Sequence, residues 1–224
     1  MAEYNLLLKQ KLPGIYCIPS ANSSLLWYGV LFIRQGPYQE GVFRFQVIIP
    51  DNYPDGDVPR VVFEDSVFHP CIDPTTHVLN VKQGFHKWKR NVNHIWQVLL
   101  YTRRLFYKIE ITNPSNMEAA ALYEKEPEMF KERARSCVID WKERLYLVKD
   151  HPDPHYLIFG PYQDQLHAGV REQMKAGGEG GGEERRGGGV RSGKSYVATG
   201  SLTIFSENLL PAHTEEEGPR SMPK

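Results

Sequence analysis

Four strand-like runs follow one another before residue 64, and apart from a short N-terminal segment every helical pattern lies beyond residue 93. This segregation constrains the fold more than any other feature of the chain. Residues 14–19, 25–35 and 42–49 are rich in aromatic and branched side chains, and a fourth run, Arg60–Phe63, follows the Pro-, Asp- and Gly-rich stretch 50–59. Val42 to Val47 partly alternates, as a strand with one wetter face should. The connector 36–41 has Gly36 and Gly41 at its ends and Pro37 inside, which suits a tight antiparallel connection. An antiparallel meander sheet backed by helices, an α+β fold, is the expected architecture.

The helices read from their ends and their spacing. Ala2–Lys11, with Leu6, Leu7 and Leu8, is closed by Pro13-Gly14, and a helix this short needs a tertiary face to lie on. From His94 to Ile109 apolar residues fall at Ile95, Val98, Leu99, Leu105, Phe106 and Ile109, the pattern of a core-facing helix. Asn116 is placed to N-cap a helix over Met117–Lys125, and Pro127 opens another that runs from Glu128 to about Leu147. Residues 64–92 read as a long ordered loop with only Val78–Val81 strand-like, and loops of that length are often functional. The expected organisation is a core domain over 1–149, a C-terminal extension over 150–175 and a low-complexity, disordered tail over 176–224. In the extension, 151–154 reads as a linker, Tyr156–Phe159 is apolar and Gln165–Lys175 is a weak helix.

With 27 Lys and Arg against 27 Asp and Glu, the formal charge is zero. Nothing in that balance points to nucleic acid or an anionic membrane, so partners are sought among proteins or small molecules. Cys17, Cys71 and Cys137 are far apart and lack any C-x-x-C spacing, as unpaired thiols in a reducing compartment do. No stretch approaches the ~18 apolar residues of a membrane span, and the first 20 residues lack the shape of a signal peptide. The expected location is cytoplasmic, with any membrane association peripheral and through partners.

The window from Tyr53 to Trp88 resembles the central signature of ubiquitin-conjugating enzymes. Tyr53-Pro54, Pro59, the run Arg60-Val61-Val62-Phe63, His69-Pro70 and Trp88 follow the family order, and Asn113-Pro114, Glu118-Ala119-Ala120 and Tyr123 match the start of its C-terminal helices. The resemblance implies an active cysteine ten residues after His69, where this chain has Leu79. An aliphatic side chain cannot form a thioester. Cys71 replaces the Asn that in the family stabilises an oxyanion. The chain is therefore similar to the ubiquitin-conjugating enzyme variants, with no catalytic residue, a vacant position at Leu79 and a family-motif loop of His69, Pro70, Cys71 and Trp88. Residues 3–14, 49–57 and 93–99 carry a closer resemblance, spanning about Glu3–Lys175, to a branch of adaptor variants. It implies work with Hook proteins and a Hook-interacting protein in vesicle trafficking and protein transport, and binding to Akt kinase with an effect on apoptosis. Two other readings stay open: a non-catalytic partner of an active conjugating enzyme, and an enzyme that uses Cys71.

Several motifs invite chemistry that their context does not support. Cys71 lies two residues from His69 with no third catalytic group identifiable, and His69, Cys71, His77 and His86 fit no zinc spacing. Gly188–Ser195 satisfies the phosphate-loop pattern, but a Gly/Glu/Arg tract precedes it instead of a strand. Leu202–Phe205 is an isolated apolar run in the tail. No cofactor or metal is expected. The resemblance further implies a ligase-type binding surface that here holds Lys9 and Lys11, the acidic stretch 51–57, and Lys87 to Arg90. In the helix from Glu128, Met129, Phe130, Val138, Ile139 and Trp141 serve core packing, with part of that face open to a partner.

Overall fold

The computed structural model describes residues 2–10, 12–148 and 150–178, with the side chains of Leu166 and of residues 173–178 left aside. Lys11 and the tail, with its phosphate-loop-like run Gly188–Ser195 and the apolar run Leu202–Phe205, lie outside the described residues. The elements are α1 (Ala2–Lys9), β1 (Ile15–Pro19), β2 (Leu26–Phe32), β3 (Val42–Ile48), β4 (Arg60–Phe63), α2 (Ile95–Tyr107), α3 (Met117–Lys125), α4 (Pro127–Arg144) and α5 (Asp164–Gly178). The strands pair in chain order, each antiparallel to its neighbour, which is the expected meander. Among the described residues no helix is long and apolar enough to cross a membrane.

Side-chain alternation divides the sheet into two faces. Cys17, Trp27, Leu31, Phe43, Phe45, Val47, Val61 and Phe63 face the main core. Gly29 sits in that row opposite Phe45, and the ring covers it: a Cβ there would lie 2.2 Å from Phe45 Cζ. Ile18, Tyr28 and Val30 point the other way, into a second apolar cluster completed by Tyr156, Leu157 and Phe159. Both faces of β2 are therefore covered, which accounts for its nearly unbroken apolar run. β2 ends at Phe32, three residues short of the sequence expectation, because the chain turns there. Ile33 N–H donates to the Gly41 carbonyl, Glu40 N–H donates back to Ile33, and Gly36 adopts a positive φ of 89°.

α2 places Ile95, Val98, Leu99, Thr102, Leu105 and Phe106 against the inner face, one stripe at helical spacing. Its start explains how so short a helix as α1 persists. Glu3 Oε2 accepts the Ile95 N–H at 3.1 Å, Oε1 lies 3.0 Å from His94 Nδ1, Leu7 is buried and Tyr4 meets the edge of Trp27. A carboxylate at a helix N-terminus satisfies an orphan amide and favours the helix dipole, and here it also fastens α1 to α2. Asn116 caps α3 as expected, its Oδ1 accepting from Ala119 N–H at 3.0 Å. α4 buries Phe130, Ala134, Cys137, Val138 and Trp141 and ends at Arg144 rather than near Leu147, where the chain tightens into a turn.

The second face departs most from the reading of a strand with one wet side. A strap from His151 to Phe159 lies over β1 and β2. Asp153 Oδ2 accepts the Ser20 hydroxyl at 2.5 Å and its Oδ1 accepts the amides of Ala21 and His155 at 3.2 and 2.9 Å. Burial pushes the Asp153 carboxyl up, but those donors outweigh it and hold it below its ordinary value. Tyr156 stacks on His151 at 4.0 Å and donates its hydroxyl to Glu64 at 2.6 Å. Arg44 is only 5% exposed, lies over the rings of Phe159 and Tyr156, and donates to the Leu145 carbonyl at the end of α4 at 2.6 Å. A cation suits a helix C-terminus, where carbonyls are left without amide partners.

Candidate functional site

The long loop between β4 and α2 is built around His69, which is fully buried. Its Nδ1 accepts the Cys71 N–H at 3.0 Å, and its Nε2 lies 3.1 Å from the Leu105 carbonyl. A carbonyl only accepts, so Nε2 carries the proton and both ring nitrogens are occupied by backbone. The ring stacks on Tyr38 at 5.4 Å, and Tyr38 donates its hydroxyl to the Phe68 carbonyl at 2.7 Å. Burial drives the His69 pKa down to about 4, against which the Leu105 hydrogen bond acts weakly. This histidine is a neutral staple for the loop. It cannot serve as base for a neighbouring thiol.

Pro70 and Cys71 extend the same framework. The Pro70 carbonyl accepts the amides of Ser115 and Asn116, which ties the loop to the start of α3. Cys71 Sγ donates to the Glu110 carbonyl at 3.1 Å, its own carbonyl accepts Asn80 N–H, and burial with the nearby Glu110 carboxylate pushes the thiol up to about 11. At neutral pH such a thiol stays protonated and is neither a nucleophile nor a soft metal ligand. Among the described residues no group of three His, Cys, Asp or Glu side chains comes together to hold a metal. His77 takes a left-handed backbone conformation beside Asp73, and His86 is exposed on the loop.

Leu79 is 2% exposed. Its N–H donates to the Val61 carbonyl at 2.9 Å, and it bridges to Ile72 while Val78 bridges to Val62, so this short run is laid against β4. Trp88 is buried between Tyr53 and Phe85, with ring centroids 5.8 and 6.0 Å away, and its indole N–H has no partner among the described residues.

Of the three segments singled out as a binding surface, 51–57 and 87–90 meet each other, while α1 meets the start of α2. Glu3 of α1 meets His94 and Ile95, Tyr53 packs on Trp88, and Asp55 pairs with Arg90 at 2.9 Å. Asp55 and Arg90 are both mostly exposed, so the pair itself adds at most ~1 kcal/mol. On α4, Phe130, Val138 and Trp141 are core, as read, while Met129 and Ile139 are about half exposed, at 48% and 50%. Sequence reasoning missed the polar cluster under the strap. Its signal was the run Tyr156–Phe159, too apolar for a free linker.

The family model for ubiquitin-conjugating enzymes matches residues 1–138. Over 207 residues the chain is 50% identical to the AKT-interacting protein of Xenopus tropicalis, covering 92% of this chain and 70% of that one. The human and Mus musculus AKT-interacting proteins are each 49% identical over 208 residues, with 92% of this chain and 70% of theirs covered. A four-stranded meander backed by helices, matched by that family model and half identical to those relatives, makes the chain a member of the ubiquitin-conjugating enzyme family, in the group of the AKT-interacting proteins.

Proposed function

We propose that the chain is a catalytically inactive ubiquitin-conjugating enzyme variant that works as a protein adaptor. One observation carries this reading: where the family spacing calls for the thioester cysteine, the chain has Leu79, a buried aliphatic side chain. The nearest thiol, Cys71, is held protonated and spends its hydrogen on the Glu110 carbonyl. A fold without its nucleophile still offers surfaces, and the platform is the core of residues 1–149 with its extension 150–175.

The relatives' name supports Akt kinase as one partner. The resemblance to the Fused toes subunit of the Hook-containing complex supports Hook proteins and a Hook-interacting protein as others, and a role in vesicle trafficking and apoptosis. On this reading the protein is cytoplasmic and reaches membranes through those partners.

Two experiments test it. Incubation with activating enzyme, ATP and ubiquitin, read on a non-reducing gel, gives no DTT-sensitive adduct. Leu79→Cys gives at most a trace, because a thiol at so buried a position is inaccessible and misplacement near 1 Å costs about a hundredfold. A wild-type adduct abolished by Cys71→Ser would overturn the inactive reading. Affinity purification with mass spectrometry recovers Hook proteins, and recovery of an active conjugating enzyme with ubiquitin in their place would replace the adaptor reading.

A further inference from the structure

Arg44 differs from the other polar side chains under the strap in being a cation that is almost dry. It lies on the outer face of β3, and among the described residues no carboxylate forms an ion pair with it. Glu64 feels its charge but accepts the Tyr156 hydroxyl at 2.6 Å. The Arg44 Nε is buried without a hydrogen-bond partner among the described residues. What shields the guanidinium is the strap, with the Phe159 ring 5.0 Å and the Tyr156 ring 6.0 Å from it. Its acceptor is the Leu145 carbonyl, which takes an Nη2 hydrogen at 2.6 Å just past the end of α4.

A guanidinium only donates, and in water its partners are interchangeable. Under a cover that excludes water, an acceptor it already holds becomes costly to lose. The strap and the Leu145 carbonyl therefore depend on each other. With Phe159 and Tyr156 in place, Arg44 needs that carbonyl and so fixes the turn that ends α4. The turn has few other ties: Leu145 N–H donates to the Lys142 carbonyl at 3.2 Å and Leu147 N–H to that of Arg144 at 3.1 Å, while Leu145 and Val148 rest on the same small cluster as the strap. With the strap lifted, water can satisfy the guanidinium, and the carbonyl is released. We infer that Arg44 couples the strap to the end of α4, so that lifting 151–159 loosens the turn 145–148 and changes how Tyr146 and Leu147 are presented. Both are exposed, at 39% and 69%, so a molecule that draws the strap away also remodels the surface beside it.

Hydrogen exchange on the full chain tests the coupling. Phe159→Ala uncovers Arg44, and Asp153→Ala loosens the strap where it is tied to Ser20. Each quickens exchange in 145–148 about fivefold or more, together with 151–159, while β3 stays protected. Because the strap follows that turn directly in the chain, both changes are repeated in an Arg44→Met background, which keeps the bulk and removes the cation. There they quicken 151–159 but leave 145–148 within about twofold of Arg44→Met alone. Arg44→Ala, compared in the same way, serves if methionine disturbs the sheet. Quickening of 145–148 that persists without Arg44 would show that the connection runs through the intervening chain, and would overturn the inference. A turn that ignores both strap variants, or that quickens only together with β3, would overturn it as well.

Discussion

The two faces of the sheet are covered by different physics. On the inner face, helices supply an apolar layer in which Phe43, Phe63, Phe106 and Trp141 meet ring to ring, and the polar groups in reach are mostly backbone. On the outer face, the irregular strap 151–159 sits over Ile18, Tyr28 and Val30 and is fixed by named polar pairs: Asp153 with Ser20, Tyr156 with Glu64, His155 Nδ1 with the Pro19 carbonyl at 2.8 Å. Apolar burial gives the inner layer depth of energy without much direction. The outer layer has few apolar residues and depends on direction, because each of its buried polar atoms must find its partner.

The largest expected effect comes from the inner layer. Phe106 is fully buried and contacts Tyr38, Phe43, Phe63 and His69. Phe106→Ala leaves a cavity in a layer whose neighbours are already locked by one another, and should cost about 3–5 kcal/mol in urea unfolding. A loss under ~1 kcal/mol would place the cooperative core elsewhere and dissolve the contrast between the faces.

Next comes His69, a buried titratable group beside that layer. The folded-state pKa of His69 lies near 4, below its ordinary 6.5. The folded protein thus holds the neutral ring, while the unfolded chain takes up a proton below about 6.5. His69 therefore imposes no acid penalty above that pH. Stability falls as pH drops from about 6.5 through about 4, by roughly 3 kcal/mol in total for a group this buried. Urea midpoints measured across that window for wild type and His69→Gln should converge as the pH falls, since glutamine removes the proton uptake though it lowers stability at pH 7. Parallel curves would show that His69 does not titrate with unfolding.

The inner layer was legible in the sequence because it repeats. The 3.6-residue stripe of α2 and the aromatic strands report burial through periodicity, and Asn116 and Pro127 announce their helix ends by side-chain chemistry alone. The His69 loop was legible only as a motif. That both ring nitrogens bind backbone depends on Leu105, 36 residues away, which no local pattern encodes. The first part of the strap, 151–154, reads as a linker for the same reason. Ser20 and Asp153 are 133 residues apart, and a Pro-flanked Asp looks like a turn until the strand end that holds its partner is in place. Val42–Val47 looked half wet because of Arg44 and Gln46, yet Arg44 is buried by pairing with rings and a helix end.

The smallest of these effects is the sharpest probe of the outer face. Asp153→Ala removes one acceptor group but leaves the Ser20 hydroxyl and the amides of Ala21 and His155 facing an apolar methyl. The cost, about 1–3 kcal/mol, is that of stranded donors rather than of lost area. Because the strap carries its own small apolar set, part of that cost can be relieved by local opening, with water reaching the freed amides while the sheet stays paired. Hydrogen exchange should therefore quicken over 151–159 well before the strands of the inner core respond. Asp153→Asn keeps an oxygen for the two amides but sets an NH2 against the Ser20 hydroxyl, whose oxygen already accepts the amides of Asn22 and Ser23, so it should recover only the part of the loss that those two amides carry. If Asp153→Ala instead lowered protection equally in β2, β3 and the strap, the two faces would form one cooperative unit and the outer network would be as deep as the inner layer.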